Sequence, residues 1–436
     1  MTQGAREIDW SSLLPPPRVR AGRIASAPDA LRAIPDGSRV FVSAACATPF
    51  RLLEQLDEQR AQFTSLEIVV GHLRRALAPF AHAGAPFRFT SLHASDAFGA
   101  LRGGPWLDVL PCRYSDYGRH FTAGGAYPCD IALVQVSAPG PDGRVSLGVS
   151  TGSTLPVVFG APLVIAQMNP QMPYTFGAGE LPQSAFDFLV EADEPLLEVA
   201  TPPLDDVARA IGAHAAGEIP DGATLQFGIG AVPDAIVKAL RGHRDLALHG
   251  GMIGDACIEL VEVGALSGAR KQFGRGALIA GEVIGTRRLY DWVHRNPLVQ
   301  MAPPEISHGA AALAACPDFV AINSAVEVAL DGTVNAESVG GELVSGPGGQ
   351  PDFVIAANLA ASHRHLVALP STAARGRASR IVRQLAPGAT ATIPRFLADR
   401  VITEHGVARL RGLPLRARAE ALARIAHPAF RAALAD

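Results

Sequence analysis

Short apolar runs alternate along this chain with stretches whose apolar residues recur at helical spacing. The run Thr224–Phe227 is followed by a glycine-rich turn and then by such a stretch. Its apolar residues, three and four positions apart, include Ala235, Ile236, Ala239 and Leu240. The pattern predicts a strand, a turn and a helix. Further strands are predicted at 68–70, 131–136, 164–166, 277–283, 319–323 and 366–369. Strands that alternate with helices predict an α/β fold with mostly parallel sheets.

The order Pro-Asp-Gly occurs twice, each time directly before a predicted strand. The two copies occupy residues 35–37 and 220–222. In both places a proline, Pro49 or Pro233, stands where the following helix opens. The repeated opening indicates two related α/β domains.

Residues 193–203 separate the two copies and are rich in proline and polar residues, as linkers are. We therefore expect an N-terminal domain at 1–200 and a C-terminal domain at 201–436. A chain of 436 residues with 48% hydrophobic content suits two medium cores, because a single core rarely grows past about 250–300 residues.

Charge and cysteine content exclude several classes of protein. The net charge is -3 and basic runs are scarce, so no nucleic-acid partner is expected. The five cysteines are scattered without metal-ligand spacing, which predicts buried thiols, a reducing compartment and no metal site. The first ten residues do not resemble a signal peptide, and no apolar run approaches the roughly 18 residues of a membrane span. We expect a cytoplasmic protein with no membrane partner.

The glycine-rich turn at residues 228–233 is the first candidate for chemistry. The N–H groups at a helix start have no intrahelical partner, and the helix dipole adds positive potential there. Such a turn can bind a phosphate or a developing oxyanion. Glycine at 228 and 230 lets a ligand approach the backbone closely. A tight turn without a ligand is the alternative.

Further segments occur in an ordered series along nearly the whole chain. In the first half they occupy residues 130–137, 143–150 and 169–177. In the second half they occupy residues 228–233, 285–291, 321–325, 348–353, 369–373, 379–382 and 401–406. This series resembles the acetyl-CoA hydrolase/transferase family, which includes 4-hydroxybutyrate, butyryl and succinyl CoA-transferases. The resemblance implies two related open α/β domains, a CoA site at their interface built mainly from the C-terminal domain, and a homodimer.

The resemblance also implies a mechanism, in which a glutamate attacks an acyl-CoA thioester and passes CoA to a second carboxylate. Such chemistry needs a carboxylate nucleophile, oxyanion donors and a dry site. Coenzyme A enters as substrate, and no permanently bound cofactor is expected. The backbone of Gly228, Ile229, Gly230, Ala231 and Val232 would hold CoA and the thioester oxygen. Gly348 and Gly349 would line the pantetheine or acyl side.

The chain departs from the family at the nucleophile. The family run resembles His-Thr-Glu-Met, whereas residues 249–252 here read His-Gly-Gly-Met, so that Gly251 stands where the glutamate is expected. Glu282 is a candidate replacement, because it ends the predicted strand 277–283 and ligands of α/β sheets bind at such strand ends. A glutamate among apolar residues is also costly to bury without a task or a partner. The alternative is a salt bridge with Arg287 or Arg288.

Two other residues are candidates for arranging the carboxylate substrate. Glu404 matches a family position and would orient the substrate or act as an acid or base. Its alternative is a structural carboxylate that holds a loop. Asn323 would donate or accept a hydrogen bond at the substrate carboxylate or acyl oxygen, or else join strands as a buried amide.

These residues lead to one function and two alternatives. The leading hypothesis is an acyl-CoA:carboxylate CoA-transferase with an enzyme-glutamyl intermediate at Glu282. The same site would act as a thioester hydrolase if water reached the intermediate. A protein that binds acyl-CoA without chemistry is the third hypothesis, since the family glutamate is missing.

Overall fold

The structure is a computed structural model that describes residues 8–76 and 86–435. The chain forms two compact units. The first unit comprises Glu7–Val199 and Ile279–Ser307, and the second comprises Ala200–Leu278 and His308–Asp436. The prediction that the whole of 201–436 forms one domain is therefore wrong for residues 279–307.

Specific contacts explain why the segment Ile279–Ser307 belongs to the first unit. Its strand Val299–Met301 pairs in parallel with Phe176–Gly177. The indole Nε1 of Trp10 donates to Gln300 Oε1 at 3.1 Å. The composition of the sequence indicates the polar stretch near residue 200. It does not indicate that a later segment packs with the first unit.

The first unit is built on an eight-stranded sheet whose neighbouring strands are all parallel. Across the sheet the strands follow the order Arg23–Ile24, Phe188–Glu191, Leu163–Asn169, Ile131–Ser137, Arg39–Val42, Leu66–Val70, Phe87–Ser91 and Leu107–Val109. The helices of this unit are Ala27–Leu31, Phe50–Glu58, Tyr117–Phe121, Leu155–Gly160, Arg287–Val293 and Pro304–Ser307. Shorter strands are Arg144–Ser146, Phe176–Gly177, Glu180–Pro182 and Val299–Met301. In the strand Leu278–Val283, Leu278 belongs to the second unit and the residues from Ile279 onward belong to the first. Buried apolar side chains from these strands and helices pack together in the hydrophobic cores of the first unit.

The second unit contains a run of five parallel strands with an antiparallel strand at one edge. From that edge the order is Gly406–Arg409, Arg400–Thr403, Arg364–Ala368, Val320–Asn323, Thr224–Phe227 and Ala247–Ile253. The helices are Asp206–Ala216, Ala231–Ala239, Ala256–Glu262, Ala310–Ala314, Gln350–Ala357, Leu415–Ile425 and Pro428–Ala435. Short strands are Glu327–Ala329, Val334–Asn335, Ser338–Val339, Glu342–Leu343, Thr372–Ala373, Ala378–Ser379 and Ile381–Val382. All six further strands predicted from sequence are present, with ends that differ by a few residues.

The two Pro-Asp-Gly segments form the same local structure. Gly37 and Gly222 have φ angles of +79° and +83°, which favour glycine. Asp36 accepts hydrogen bonds from the backbone N–H groups of residues 64 and 65, and Asp221 accepts one from the backbone of Arg244. The N–H of each glycine donates to a backbone carbonyl of the same partner segment, at 2.8 and 2.9 Å. The predicted internal repeat is thus visible as one hydrogen-bond pattern made twice.

All five cysteines are buried and free of disulfides, as the sequence predicts. Within the described ranges no helix combines the length and the apolar character needed to cross a membrane. Across the same residues no group of three or more His, Cys, Asp or Glu side chains is arranged to hold a metal ion.

Candidate active site

The glycine-rich turn joins the strand Thr224–Phe227 to the helix Ala231–Ala239, as predicted. Gly230 immediately precedes the helix with φ at +121°, a conformation that side-chain-bearing residues rarely adopt. A Cβ atom built on Gly228 or Gly230 would meet no other atom within 4 Å. The backbone of the turn therefore faces open space, as a ligand-binding turn requires.

Gly251, where the family resemblance leads us to expect a glutamate, lies inside a strand. The strand Ala247–Ile253 continues past His249, so Gly250 and Gly251 lie within the strand. A Cβ atom on Gly251 would lie 3.0 Å from His308 Nε2 and 3.2 Å from Phe353 Cζ. The two rings pack with centroids 4.7 Å apart. They fill the space beside Gly251, and a glutamate there would require His308 to move.

Gly349 packs against the same imidazole, because its Cβ atom would lie 2.5 Å from His308 Cδ2. Gly348, with φ at +54°, turns the chain just before it. Burial and the neighbouring His249 lower the pKa of His308 to about 3. His308 is accordingly a neutral ring at physiological pH and adds no charge beside Gly251.

Glu282 lies near the carboxyl end of the strand Leu278–Val283, as predicted, within the first unit. Its Oε1 atom accepts hydrogen bonds from the Tyr114 hydroxyl and from both the backbone N and the Oγ of Ser153, the last two at 3.2 and 2.9 Å. Oε2 accepts none of these three bonds. The side chain of Ser150 also donates a hydrogen bond to this carboxylate.

The segment 149–153 is tied to the strand that carries Glu282. Val283 N donates to Val149 O at 2.8 Å, and the backbone N–H groups of Thr151 and Gly152 donate to Gly281 O at 3.1 and 2.9 Å. A Cβ atom on Gly152 would lie 2.9 Å from Gly281 Cα, so this approach requires glycine. These backbone bonds fix the position of Ser153 relative to the carboxylate.

The salt bridge considered for Glu282 does not form. Arg287 Nε binds Asp291 at 2.7 Å instead. No Lys, Arg or His of the described chain lies within ion-pair distance of Glu282. Burial raises the pKa of Glu282, and the hydrogen bonds from Tyr114 and the serines offset only part of that rise.

Tyr114 remains a hydrogen-bond donor under ordinary conditions, because burial and the Glu282 carboxylate raise its pKa well above the usual value. Its ring stacks on Tyr117 with centroids 4.7 Å apart. Sequence reasoning missed Tyr114 and Ser153. They stand 168 and 129 positions from Glu282 and belong to no spaced motif that would have identified them.

Glu404 and Asn323 both lie in the second unit, with the glycine-rich turn. Glu404 accepts from Ser371 N at 2.8 Å and from Ser371 Oγ at 2.5 Å, one bond on each oxygen. This arrangement is that of a carboxylate holding a loop, the alternative weighed for it. Asn323 ends the strand next to Thr224–Phe227, and its buried Oδ1 has no hydrogen-bond partner in the described part of the chain. That oxygen is open to a ligand that donates a hydrogen bond.

Comparison with known proteins agrees with the motif pattern. A family model described as the acetyl-CoA hydrolase/transferase N-terminal domain matches residues 21–200. The corresponding C-terminal domain model matches residues 285–436. The chain therefore belongs to the acetyl-CoA hydrolase/transferase family, and the predicted family is confirmed.

Relatives within this family are named CoA transferases. The 4-hydroxybutyrate coenzyme A transferase of Clostridium kluyveri is 38% identical over 415 residues, which cover 94% of this chain and 96% of that protein. A succinyl-CoA:cyclohexane-1-carboxylate CoA transferase of Geobacter metallireducens is 36% identical, covering 76% of this chain and 75% of that protein. These names support the predicted enzyme class. The homodimer stays a prediction.

Two solved structures confirm the predicted fold class. RipA from Yersinia pestis superposes with a TM-score of 0.89 at 26% identity, covering 95% of this chain and 96% of RipA. A 4-hydroxybutyrate CoA-transferase from Porphyromonas gingivalis superposes with a TM-score of 0.78 at 33% identity, with the same shares covered.

Proposed function

We propose that this chain transfers CoA from an acyl-CoA to a small carboxylic acid and that Glu282 is the nucleophile. The observation that carries the proposal is the environment of Glu282. It is a buried carboxylate near a strand end, held by hydroxyl groups and one backbone N–H and not neutralised by a described cation, in a chain of a family that includes CoA transferases. Ionisable groups kept in such settings cluster at functional sites, because burying them costs free energy.

The reaction proceeds by exchange of acyl groups between carboxylate and thiolate. Glu282 Oε2 attacks the thioester carbon, the C–S bond breaks, and CoA leaves as a thiolate from an acyl-glutamyl anhydride. The thiolate attacks the glutamyl carbonyl, releases the first carboxylate and leaves a glutamyl-CoA thioester. The acceptor carboxylate attacks that thioester, which releases CoA thiolate and forms a second anhydride between Glu282 and the acceptor acid. The thiolate then attacks the acyl carbon of the acceptor, which gives the new acyl-CoA and frees the Glu282 carboxylate. Each step starts and ends with one negative charge.

The residues around Glu282 have defined parts in this proposal. Tyr114 and Ser153 donate to Oε1 rather than to Oε2, the attacking oxygen. Their hydrogen bonds, with that of Ser150, stabilise the anion that must form. Burial of the site limits hydrolysis of the anhydride. The backbone of residues 228–232 would hold CoA and its thioester oxygen, and Gly348 and Gly349 would line the pantetheine or acyl side. Asn323 would form a hydrogen bond with the substrate, whereas Glu404 holds its loop through Ser371.

Chemical trapping tests the nucleophile directly. The protein is incubated with acetyl-CoA, butyryl-CoA or succinyl-CoA, treated with borohydride, and digested for peptide mass spectrometry. We expect reduction of Glu282, or a CoA adduct on it, in the wild type and none in Glu282→Gln. Glu404→Gln serves as a matched carboxylate control and should keep the adduct.

Other outcomes identify the alternatives. Free CoA released without an acceptor and without an adduct would establish direct hydrolysis. An intact thioester together with thermal stabilisation by acyl-CoA would establish a binding protein. An adduct on a different glutamate would overturn the role of Glu282 while keeping the transferase.

A further inference from the structure

Four hydroxyl-bearing side chains of the first unit form what we call the hydroxyl chain: Ser43, Thr154, Ser150 and Ser153. Ser43 Oγ lies 3.2 Å from Thr154 Oγ1, which lies 3.3 Å from Ser150 Oγ. Ser150 Oγ in turn lies 3.0 Å from Ser153 Oγ. Both Ser150 and Ser153 donate to the Glu282 carboxylate. The hydroxyl chain therefore leads from Ser43 to the candidate nucleophile within one unit.

The carboxylate fixes the direction of the bonds in the hydroxyl chain. An ionised carboxylate only accepts hydrogen bonds, and each hydroxyl has one proton to donate. Because the Ser150 proton serves Glu282, the bond between Ser150 and Thr154 must use the Thr154 proton. The bond between Thr154 and Ser43 must then use the Ser43 proton. Each hydroxyl thus donates toward the carboxylate, and hydrogen bonds aligned in this way polarise and strengthen one another.

The hydroxyl of Thr154 serves the hydroxyl chain instead of its own helix. Thr154 stands at the N-cap of the helix Leu155–Gly160, where a threonine oxygen ordinarily accepts a hydrogen bond from a backbone N–H of the first turn. The Thr154 side chain makes no such capping bond. Its orientation therefore favours the contacts with Ser43 and Ser150 over a local stabilisation of the helix.

The hydroxyl chain is closed to solvent. Ser43 is 0% exposed, Thr154 and Ser150 are each 1% exposed, and Ser153 is 2% exposed. A relay that carries protons to and from water would need an exposed end, so the arrangement does not fit that role. Hydroxyl dipoles act strongly on a charge in surroundings of low dielectric constant. The arrangement suits the stabilisation of negative charge at Glu282.

A second pair of buried hydroxyls in the same unit provides a contrast. Ser146 Oγ and Thr175 Oγ1 lie 3.0 Å apart, and both residues are at most 1% exposed. Ser146 Oγ donates to the carbonyl oxygen of Thr175, and Thr175 Oγ1 donates to that of Gly148, both at 2.8 Å. These protons end on neutral backbone groups. The pair therefore supports the fold without acting on a charge, and Thr175 is a matched control for Thr154.

We propose that Thr154 and Ser43 are positioning residues of the transfer reaction, which act through Ser150 and keep the Glu282 carboxylate ionised and oriented for attack. The inference rests on the proposed function, and it extends the site by two residues that donate toward Glu282 without donating to it. The effect of removing a hydroxyl should become smaller with each further bond between that hydroxyl and the carboxylate.

Three titratable side chains lie around the candidate nucleophile. Tyr114 donates to Glu282, the charge of Glu282 acts on the Cys46 thiol, and Tyr290 is hydrogen-bonded to Cys46. Burial raises the pKa of both tyrosines above its usual value and that of Cys46 to about 11. All three stay protonated where a carboxyl group titrates, so a shift of the acid limb of activity reports on Glu282.

The test is the pH profile of kcat/KM in Ser150→Ala, Thr154→Val and Ser43→Ala. Each variant should raise the pKa of Glu282, so kcat/KM on the acid limb should fall by about tenfold, about 3- to 10-fold and about 2- to 3-fold, respectively. The plateau at higher pH should change little, because the carboxylate is ionised there in every variant. Thr154→Ser keeps the hydroxyl and should restore the acid limb. Thr175→Val should leave it in place.

Two results would overturn the inference. If Thr154→Val and Thr175→Val lower the limb and the plateau alike, the loss is one of packing. If Thr154→Val and Ser43→Ala leave the acid limb where it is in the wild type, the hydroxyl chain has no influence on attack. Ser43→Ala removes a single oxygen atom and keeps the test decisive if Thr154→Val does not fold.

An infrared titration separates this inference from the proposed function. The carboxyl band of Glu282 is obtained as the difference between the wild type and Glu282→Gln, and it titrates without substrate. If Thr154→Val raises the pKa of this band but no acyl-CoA supports transfer, the proposed function fails and the action of the hydroxyl chain on Glu282 stands. If trapping places the adduct on Glu282 but the band titrates alike in the wild type and Thr154→Val, only the hydroxyl chain fails.

Discussion

Two glutamates of the first unit accept hydrogen bonds from similar groups but differ in charge environment. Glu67 accepts from the Tyr127 hydroxyl and from Thr90 Oγ1, the latter at 2.6 Å, and its second oxygen binds Arg39 Nε at 2.9 Å. Glu282 accepts from a tyrosine and a serine and has no described cation as partner. The two sites differ in this guanidinium and in burial, since the Glu67 side chain is 25% exposed and Glu282 is buried.

The pKa shifts of the two carboxylates have opposite directions. Although burial raises it, the hydrogen bonds from Thr90, Tyr127 and Arg39 and the charge of Arg39 bring the pKa of Glu67 below its ordinary value. At Glu282 burial prevails and the pKa is raised. A carboxylate that is ion-paired with a cation can link neighbouring strands. A carboxylate that is buried without a cation lowers the free energy of unfolding, and such groups are concentrated at functional sites.

The largest difference between the two sites should appear when each carboxylate is removed. Glu282→Gln should lower kcat/KM for CoA transfer by at least about a thousandfold, because the amide cannot form the anhydride. Glu67→Gln should keep activity within about twofold, as a substitution outside the site. Steady-state assays of both variants with matched circular dichroism check this. An equal loss of kcat/KM in both variants would contradict the role of Glu282 as the nucleophile.

The tyrosines should differ in the same direction but by less. Tyr114→Phe removes a hydrogen bond to the attacking carboxylate, so we expect a loss of about 10- to 100-fold in kcat/KM near pH 7. Tyr127→Phe should leave kcat/KM unchanged. If Tyr114→Phe is as active as Tyr127→Phe, the bond to Oε1 does not assist attack.

The pH dependence of transfer sharpens the assignment further. The attacking species is the carboxylate, so activity should fall by about tenfold per pH unit as the pH drops through the raised pKa of Glu282. That acid limb should lie above the ordinary range of glutamate, and Tyr114→Phe should move it to still higher pH. A kcat/KM profile for the wild type, Tyr114→Phe and Tyr127→Phe gives the result. An acid limb within the ordinary range would assign it to another group.

The smallest expected effect is on stability, where the two glutamates should act in opposite senses. The lowered pKa of Glu67 means that its contribution is present above the pKa of the unfolded chain and is lost as pH falls through the folded value. The raised pKa of Glu282 means that stability is lost as pH rises through the folded value. Urea unfolding from about pH 2.5 to about pH 8 should therefore show that Glu67→Gln costs about 1 kcal/mol near neutrality and less in acid, below the unfolded pKa of about 4.3.

In the same titration, Glu282→Gln should remove the decline of stability toward higher pH. Parallel slopes for the two variants would contradict the assignment of opposite shifts. The Arg39→Met variant offers a control, since it leaves Glu67 in place and removes only the cation.

Local structure was predictable from the sequence wherever residues adjacent in the chain determine it. The Pro-Asp-Gly turns follow from the left-handed φ that glycine permits and from aspartate side chains that accept backbone N–H groups. The placement of Glu282 near the end of a buried strand followed from the apolar run around it. These features need only a few consecutive residues.

The surroundings of the candidate site were not predictable, because distant residues supply them. The space beside Gly251 is filled by His308 and Phe353, which no spacing rule connects to it. Tyr114 and Ser153 reach Glu282 only through the packing of the segment 149–153 on its strand.

Ribosomal synthesis delivers the two segments of the first unit at different times. When residue 200 emerges, Tyr114 and Ser153 are present but their acceptor Glu282 is not, and Phe176–Gly177 has no Val299–Met301 to pair with. The first unit can complete its structure only after Ser307 has left the ribosome, although most of its residues are made first. A fragment that stops near residue 200 would therefore expose unpaired strand edges and lack the candidate nucleophile. The N-terminal residues of the first unit therefore depend on a short, later-synthesised segment, residues 279–307, to complete their fold and cover these edges.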